Sequence, residues 1–331
     1  MLNNKTILVT GGTGSFGHHF VEYVLANYKP RKIIIYSRDE FKQFNMSNRF
    51  KEHKDVLRYF IGDVRDQERL RMAMKDVDYV VHAAALKQVP ACEYNPNEAI
   101  KTNVNGAMNV INAALEAGVE KVVALSTDKA VNPINLYGGT KLVSDKLFTA
   151  ANAYSGGKGT RFSVVRYGNV AGSRGSVIPF FQGLIDRGET ELPITDFEMT
   201  RFWISLDQGV ELVIKALSES RGGETFISKI PSFKITDLAK AMKEDCTLKE
   251  VGIREGEKLH EIMITAEDSM RTYEYDKHYI IYPHYDWWDS EDIIPGGKPV
   301  ERGFYYSSGS NKRFLSVEEL REKLKTDLDR Y

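Results

Sequence analysis

The stretch KTILVTGGTGSFG, residues 5–17, decides how the chain is read. KTILVT (5–10) is a near-continuous apolar run, which marks a strand covered on both faces. TGGTGSFG (10–17) follows at once and opens a helical pattern, FGHHFVEYVLANY. Two glycine spacings are met together, Gly12-x-Gly14-x-x-Gly17 and Gly11-x-x-Gly14-x-x-Gly17. Glycine lets the backbone turn tightly and approach a pyrophosphate, which then sits at the helix N-terminus. A glycine match alone could be a plain turn; its place between first strand and first helix points to a dinucleotide. The candidate contacts are Gly11, Thr13, Gly14, Ser15, Phe16 and Gly17.

Outward from this turn, strand and helix alternate. KIIIYS (32–37), VLRYFIG (56–62), DYVVHAA (78–84), KVVALST (121–127) and FSVVRYG (162–168) read as further strands, separated by helical runs such as EAIKTNVNGAMNVINAALEAG. Such alternation predicts an α/β fold, a doubly wound parallel sheet of the Rossmann kind. After Gly168 the regularity dissolves into a smaller, mixed α/β C-terminal lobe. The expected division is a dinucleotide-binding domain over 1–170 plus about 205–229, and a substrate lobe over about 171–204 and 230–331. GETFISK (223–229) reads as a strand returning to the sheet, and 270–310 as long irregular segments. SVEELREKLKTDL (316–328) reads as a helix opened by a Ser316/Glu319 capping box.

Composition narrows the function. Net charge is −1 over 331 residues, so no global field favours nucleic acid or an anionic membrane. Two cysteines, Cys92 and Cys246, build neither a disulfide framework nor a metal site, which suits a reducing cytoplasm. The N-terminus runs straight into a strand without a leader pattern. The apolar runs are far shorter than the ~20 residues a bilayer span needs. A cytoplasmic location is expected.

The second strand ends Tyr36-Ser37-Arg38-Asp39. Ser37 and Arg38 suit the 2′-phosphate of NADP, while Asp39 leaves NAD open. Asp63 and Val64 after the third strand fit an adenine contact, and Ala83 and Ala84 after the fourth let a cofactor lie against backbone. The fifth strand runs into STDKAVNPINLYGGTK (126–141), where Thr127, Asp128, Lys129, Tyr137 and Lys141 crowd together. Tyr-x-x-x-Lys occurs four times, at Tyr28/Lys32, Tyr137/Lys141, Tyr154/Lys158 and Tyr273/Lys277, but only Tyr137 follows a strand-end cluster of proton handlers. A lysine beside the phenol favours the phenolate, which can take a proton from a substrate hydroxyl as hydride leaves its carbon.

Strand-glycine-helix, Ser-Thr and Tyr-x-x-x-Lys together resemble the extended short-chain dehydrogenase/reductase superfamily. Asp128-Lys129 stands where dTDP-glucose dehydratases carry Asp-Glu. With LKQVPACEYNP (86–96), RYGNVAGSRGSVIPFF (166–181), TRFWIS (200–205) and EKLHEIMIT (257–265), the chain resembles the C5-inverting UDP-N-acetylglucosamine 4,6-dehydratases that begin pseudaminic acid synthesis. The resemblance implies tightly bound NADP, regenerated each turnover, and a UDP-sugar substrate. It assigns Tyr137, with Thr127 and Lys141, to the first oxidation, and Asp128 and Lys129 to elimination of the 6-hydroxyl. It further implies substrate contacts from Lys87, Asn169, Val177, Pro179, Arg201 and Glu257, no metal, and a homo-oligomer of dimers or hexamers. Retaining relatives can carry Met where this chain has Tyr137, which favours inversion. A retaining dehydratase or 4-epimerase is the alternative within the superfamily; a non-catalytic NADP-binding sensor or scaffold is the alternative outside it.

Overall fold

The computed structural model of the chain describes residues 1–156, 159–172, 176–288 and 293–328. Ser173, Arg174 and Gly175 of the 166–181 motif, and Lys158 of the Tyr154/Lys158 match, lie outside them.

The first half alternates as its sequence predicts: β1 (Thr6–Thr10), α1 (Ser15–Asn27), β2 (Lys32–Ser37), α2 (Glu40–Arg49), β3 (Leu57–Ile61), α3 (Gln67–Ala73), β4 (Tyr79–His82), α4 (Val89–Tyr94), α5 (Pro96–Ile100), α6 (Gly106–Ala117), β5 (Lys121–Thr127), α7 (Leu136–Ala150) and β6 (Arg161–Tyr167). Beyond them lie α8 (Val177–Asp186), β7 (Glu191–Ile194), β8 (Thr200–Phe202), α9 (Leu206–Glu219), β9 (Thr225–Ser228), β10 (Ser232–Lys234), α10 (Ile235–Met242), β11 (Thr247–Glu250), β12 (Ile262–Ile264), β13 (Thr272–Glu274), β14 (His278–Ile281), β15 (Lys298–Pro299), β16 (Tyr306–Ser307) and α11 (Val317–Leu328).

Strands β3-β2-β1-β4-β5-β6-β9 form a continuous parallel sheet. The order reverses direction between β1 and β4, the position where open α/β sheets bind ligands beyond their carboxyl ends. Period-two alternation sorts the strand residues: Ile7 and Val9 pack with Phe20 and Val24 of α1 and Val213 of α9, whereas Leu8 packs with Leu70, Val110 and Phe148 of α3, α6 and α7. Each such side chain contributes about 1.5–3 kcal/mol on burial, so both faces of β1 hold the sheet between helices.

The segment 270–310, expected as irregular, instead continues the sheet: β14, β13 and β15 add antiparallel strands beyond β9. These strands are two to four residues long and set among Tyr, Gly and Pro, too short to show a period. All four residues of β14 are buried, so packing rather than pattern fixes it. The expected return of 223–229 to the sheet is found in β9, and α11 opens with Glu319 N–H donating to Ser316 Oγ at 3.2 Å and Ser316 N–H to Glu319 at 2.9 Å. A separate core of Phe181, Leu192, Ile194, Trp203, Leu238 and Leu320 holds β7–β11, β8–β10 and helices α8, α10 and α11 together. No helix among the described residues is long and apolar enough to cross a membrane.

Candidate active site

A cleft of about 1010 Å³ runs along the carboxyl ends of the parallel strands and under the C-terminal lobe. Gly11 has φ +66°, and a Cβ there would lie 2.9 Å from the Ala84 backbone, so the turn after β1 presses on the end of β4. Helix α1 starts without a side-chain cap or a first-turn acid, leaving its N-terminal N–H groups suited to an anion. Gly11, Thr13, Gly14, Ser15, Phe16, Ser37, Arg38, Asp63, Val64, Ala83 and Ala84 all line the cleft. Gly17 does not: its Cβ would fall 2.2 Å from the Gly12 carbonyl, so it serves the packing of helix on turn.

The end of β2 is occupied in a way the sequence could not show. Asp39 caps α2, accepting the Lys42 N–H at 2.9 Å, and its carboxylate also pairs with Lys42 Nζ at 3.0 Å. Arg38 is half exposed, with Nη1 3.7 Å from Asp63, whose Oδ2 accepts from Arg65 at 2.9 and 2.7 Å. Lys42, absent from the sequence reading, lines the cleft beside Ser37 and Arg38. Arg38 and Lys42 thus give the edge its cationic groups, and its two nearby acids, Asp39 and Asp63, already have partners.

At the reacting end, β5 finishes at Thr127, whose Oγ1 accepts the Lys129 N–H at 3.3 Å and starts a 3₁₀ turn, Asp128–Ala130. Asn135 caps α7 through the Gly138 N–H at 2.8 Å. Gly138 is required: a Cβ there would meet the Lys129 carbonyl at 2.1 Å, so only glycine lets α7 press on the turn. That contact brings Tyr137 and Lys129 into the same cleft, with Thr127, Lys141 and Asn169. Gly138→Ala is therefore expected to displace the phenol and cost about 10²-fold in turnover while dinucleotide affinity holds, as read by kinetics and cofactor titration.

Asp128 is fully buried beneath the cleft. Its Oδ1 accepts from Thr127 Oγ1 at 3.0 Å and from Lys129 Nζ at 3.2 Å. Lys129 Nζ also donates to Asn169 Oδ1 at 3.1 Å and pairs with Glu261 at 3.1 Å. Burial, then the charge of Glu261, raise the Asp128 carboxyl above the usual range despite Lys129. For Lys129 burial acts downward, but Asp128 and Glu261 outweigh it and hold the ammonium firmly charged. Burial pushes the Tyr137 phenol up to about 12, with Lys129 and Thr127 opposing.

The ammonium that counters the rise of the Tyr137 phenol is Lys129, whereas Lys141, lowered by burial, has Asp145 as its opposing charge. Asp145 is buried behind the cleft-lining Ser126, accepting from its Oγ at 2.6 Å. Sequence reading missed both Asp145 and Glu261. Asp145 sits eight residues past the phenol on α7, two turns along one face, which is a recoverable signal. Glu261 ends the EKLHE run in a loop, where no period announces it.

Lys87, Asn169, Val177, Pro179, Arg201 and Glu257 also line the cleft. Burial, then Lys129, lower the Lys87 ammonium. Arg201 is buried, with Nη1 donating to the Thr200 and Leu259 carbonyls at 2.7 and 3.1 Å and Nε 3.8 Å from Glu261. Glu257 Oε2 is buried with no hydrogen-bond partner among the described residues.

A family model described as polysaccharide biosynthesis protein matches residues 7–283. A protein of Campylobacter jejuni subsp. jejuni serotype O:23/36 (strain 81-176), named UDP-N-acetylglucosamine 4,6-dehydratase (inverting), is 59% identical over 97% of this chain and 97% of its own. A Rickettsia canadensis protein named UDP-glucose 4-epimerase is 43% identical over 98% of this chain and 97% of its own. The X-ray structure of Pen from Bacillus thuringiensis superposes with a TM-score of 0.89 at 38% identity, covering 99% of both chains. The chain belongs to the polysaccharide biosynthesis protein family of extended short-chain dehydrogenase/reductases, in the group of the inverting UDP-N-acetylglucosamine 4,6-dehydratases.

Proposed function

We propose that the chain dehydrates UDP-N-acetylglucosamine across C5 and C6 and inverts C5, giving a UDP-2-acetamido-2,6-dideoxy-L-hexos-4-ulose, with NADP as resident cofactor. The observation that carries this reading is the meeting of a phenol, Tyr137, and an amine, Lys129, at one cleft, with the acid Asp128 buried behind the amine and 3.2 Å from it. An epimerase needs only the first. The 59% identity to an inverting dehydratase supports it further.

The glycine cradle and open α1 terminus fit a dinucleotide, and the cationic edge fits a 2′-phosphate. Bound NADP would supply a hydride acceptor for sugar C4, a positive charge near the phenol, and the hydride returned at C6. Tyr137 takes the O4 proton. The resulting 4-ketone acidifies C5–H, which Lys129 removes, while Asp128 gives a proton to the 6-hydroxyl and water leaves. Protonation of C5 on the opposite face by a solvent-derived proton, as hydride would return to C6, inverts it. Lys129 must be neutral to act, and transfer of its proton to Asp128 Oδ1, 3.2 Å away, readies amine and acid together. Arg201 and Lys87 suit the diphosphate and sugar, and Glu257 the uridine ribose.

For the cofactor edge, Arg38→Ala combined with Lys42→Ala should weaken NADP binding about 10- to 100-fold and leave NAD almost unchanged, as measured by calorimetry. Equal losses for both cofactors would refute the 2′-phosphate assignment. The activity itself is tested by mass spectrometry of UDP-N-acetylglucosamine incubated with the protein. A product lighter by one water is expected. A product of unchanged mass would favour the 4-epimerase reading, which the 43% identity to a Rickettsia protein of that name keeps in view.

A further inference from the structure

Glu261 is 2% exposed, lines the cleft and immediately precedes β12. Its backbone N–H is fixed by Ser308 Oγ at 2.9 Å, which in turn meets Thr200 Oγ1 at 2.8 Å. Its carboxylate touches Lys129 Nζ at 3.1 Å, while the same Nζ touches Asp128 at 3.2 Å. One ammonium therefore carries two buried carboxylates. The remaining oxygens, Asp128 Oδ2 and Glu261 Oε2, are buried with no hydrogen-bond partner among the described residues. Orphaned carboxylate oxygens in a dry interior cost stability, and such clusters persist where chemistry uses them.

We propose that Glu261 is a positioning residue for elimination: it fixes the Lys129 amine beside Asp128 and sets the pH range over which that couple works. The inference rests on the dehydratase reading. The groups around Glu261 decide its own state. Lys129 from the 3₁₀ turn, Arg201 from β8 and Lys258 from the preceding loop face it, and Asp128 lies across Lys129. His260 is turned to Thr200 Oγ1 at 2.8 Å, and Lys87 and Tyr137 act on or feel Lys129 rather than Glu261. Burial alone would raise the Glu261 carboxyl, but Lys129 and then Arg201 outweigh it and bring it below the usual range. A fixed negative charge there increases the proton affinity of Asp128 and Lys129 alike. At the end of each turnover Lys129 holds the C5 proton and Asp128 lacks the one given to water, so return of that proton across 3.2 Å resets the couple. By raising both groups together, Glu261 keeps that exchange within the couple.

The test uses the full chain with Glu261→Gln and Glu261→Asp. Two steps are followed in single turnovers with UDP-N-acetylglucosamine: reduced-cofactor absorbance for the oxidation, and deuterium incorporation at C5 for the elimination. Glu261→Gln should move the pH profile of elimination toward acid by about 1–3 units and leave that of oxidation in place. Glu261→Asp should restore the position of the profile. An unmoved elimination profile, or equal displacement of both steps, would overturn the proposal. Should Glu261→Gln fail to fold, infrared spectra of the wild type against Glu261→Asp serve instead: an ionised Glu261 carboxylate at neutral pH is expected, and a protonated-carboxyl band that Glu261→Asp displaces would overturn the proposal. If the wild type yields no dehydrated product, the dehydratase reading fails and this inference falls with it. A dehydrating wild type with an unmoved variant profile would sink this inference alone.

Discussion

Tyr137→Phe should abolish the first oxidation, lowering turnover by about 10²–10⁴-fold, the range a positioned general base supplies. The variant keeps the ring, so α7 and its contact with the Lys129 carbonyl at Gly138 are undisturbed and the thermal midpoint should barely move. What disappears is the acceptor for the O4 proton, and with it any transient reduced-cofactor signal. The pH dependence carries a second signature. The phenol is held near 12, and only its ionised form accepts a proton, so wild-type oxidation should climb as pH rises. Tyr137→Phe should remove that slope. A normal reduced-cofactor burst in the variant would show that another group takes the proton.

Lys129→Ala should act later: oxidation still proceeds, slowed because the Tyr137 phenol loses its counter-charge, and the reaction stops with the cofactor reduced and C5–H in place. Loss of the amine should slow elimination by about 10²–10⁴-fold, read as missing deuterium at C5. The same change leaves Asp128 and Glu261 buried without the ammonium between them. Removing one partner from a buried ion cluster costs about 3–5 kcal/mol unless a carboxyl takes up a proton, so a lowered thermal midpoint is expected as well. Lys129→Met, which keeps the stem, separates the chemical loss from the packing loss. If Lys129→Ala and Tyr137→Phe were both blocked before any reduced-cofactor signal, the division of labour between them would be wrong.

The legible parts of this fold were those where one local rule sufficed. The parallel strands β1 to β6 are long enough for continuous apolarity to speak, and Gly11 to Gly17 sit where only a strand–turn–helix junction uses such spacing. Strands β13 to β16 were not legible, because two to four residues carry no period and their burial is set by neighbours far along the chain. The same division holds in the site. Thr127, Asp128, Lys129, Tyr137 and Lys141 lie within fifteen positions, and one strand end and one helix turn gather them. Arg201 and Glu257 were named through resemblance, since nothing local distinguishes them from solvated charges. Glu261 meets Lys129 across 132 positions, a contact that only the folded C-terminal lobe creates. The Lys42–Asp39 pair hid the cationic character of the cofactor edge, because capping of α2 decides which of the neighbouring charges stays available.

The most direct measurement is the product formed from UDP-N-acetylglucosamine in deuterium oxide, analysed by NMR. A 4-keto-6-deoxy sugar nucleotide with deuterium at C5 and the L-configuration there is the expected outcome. A dehydrated product with its original C5 configuration, or a hexose changed only at C4, would contradict it.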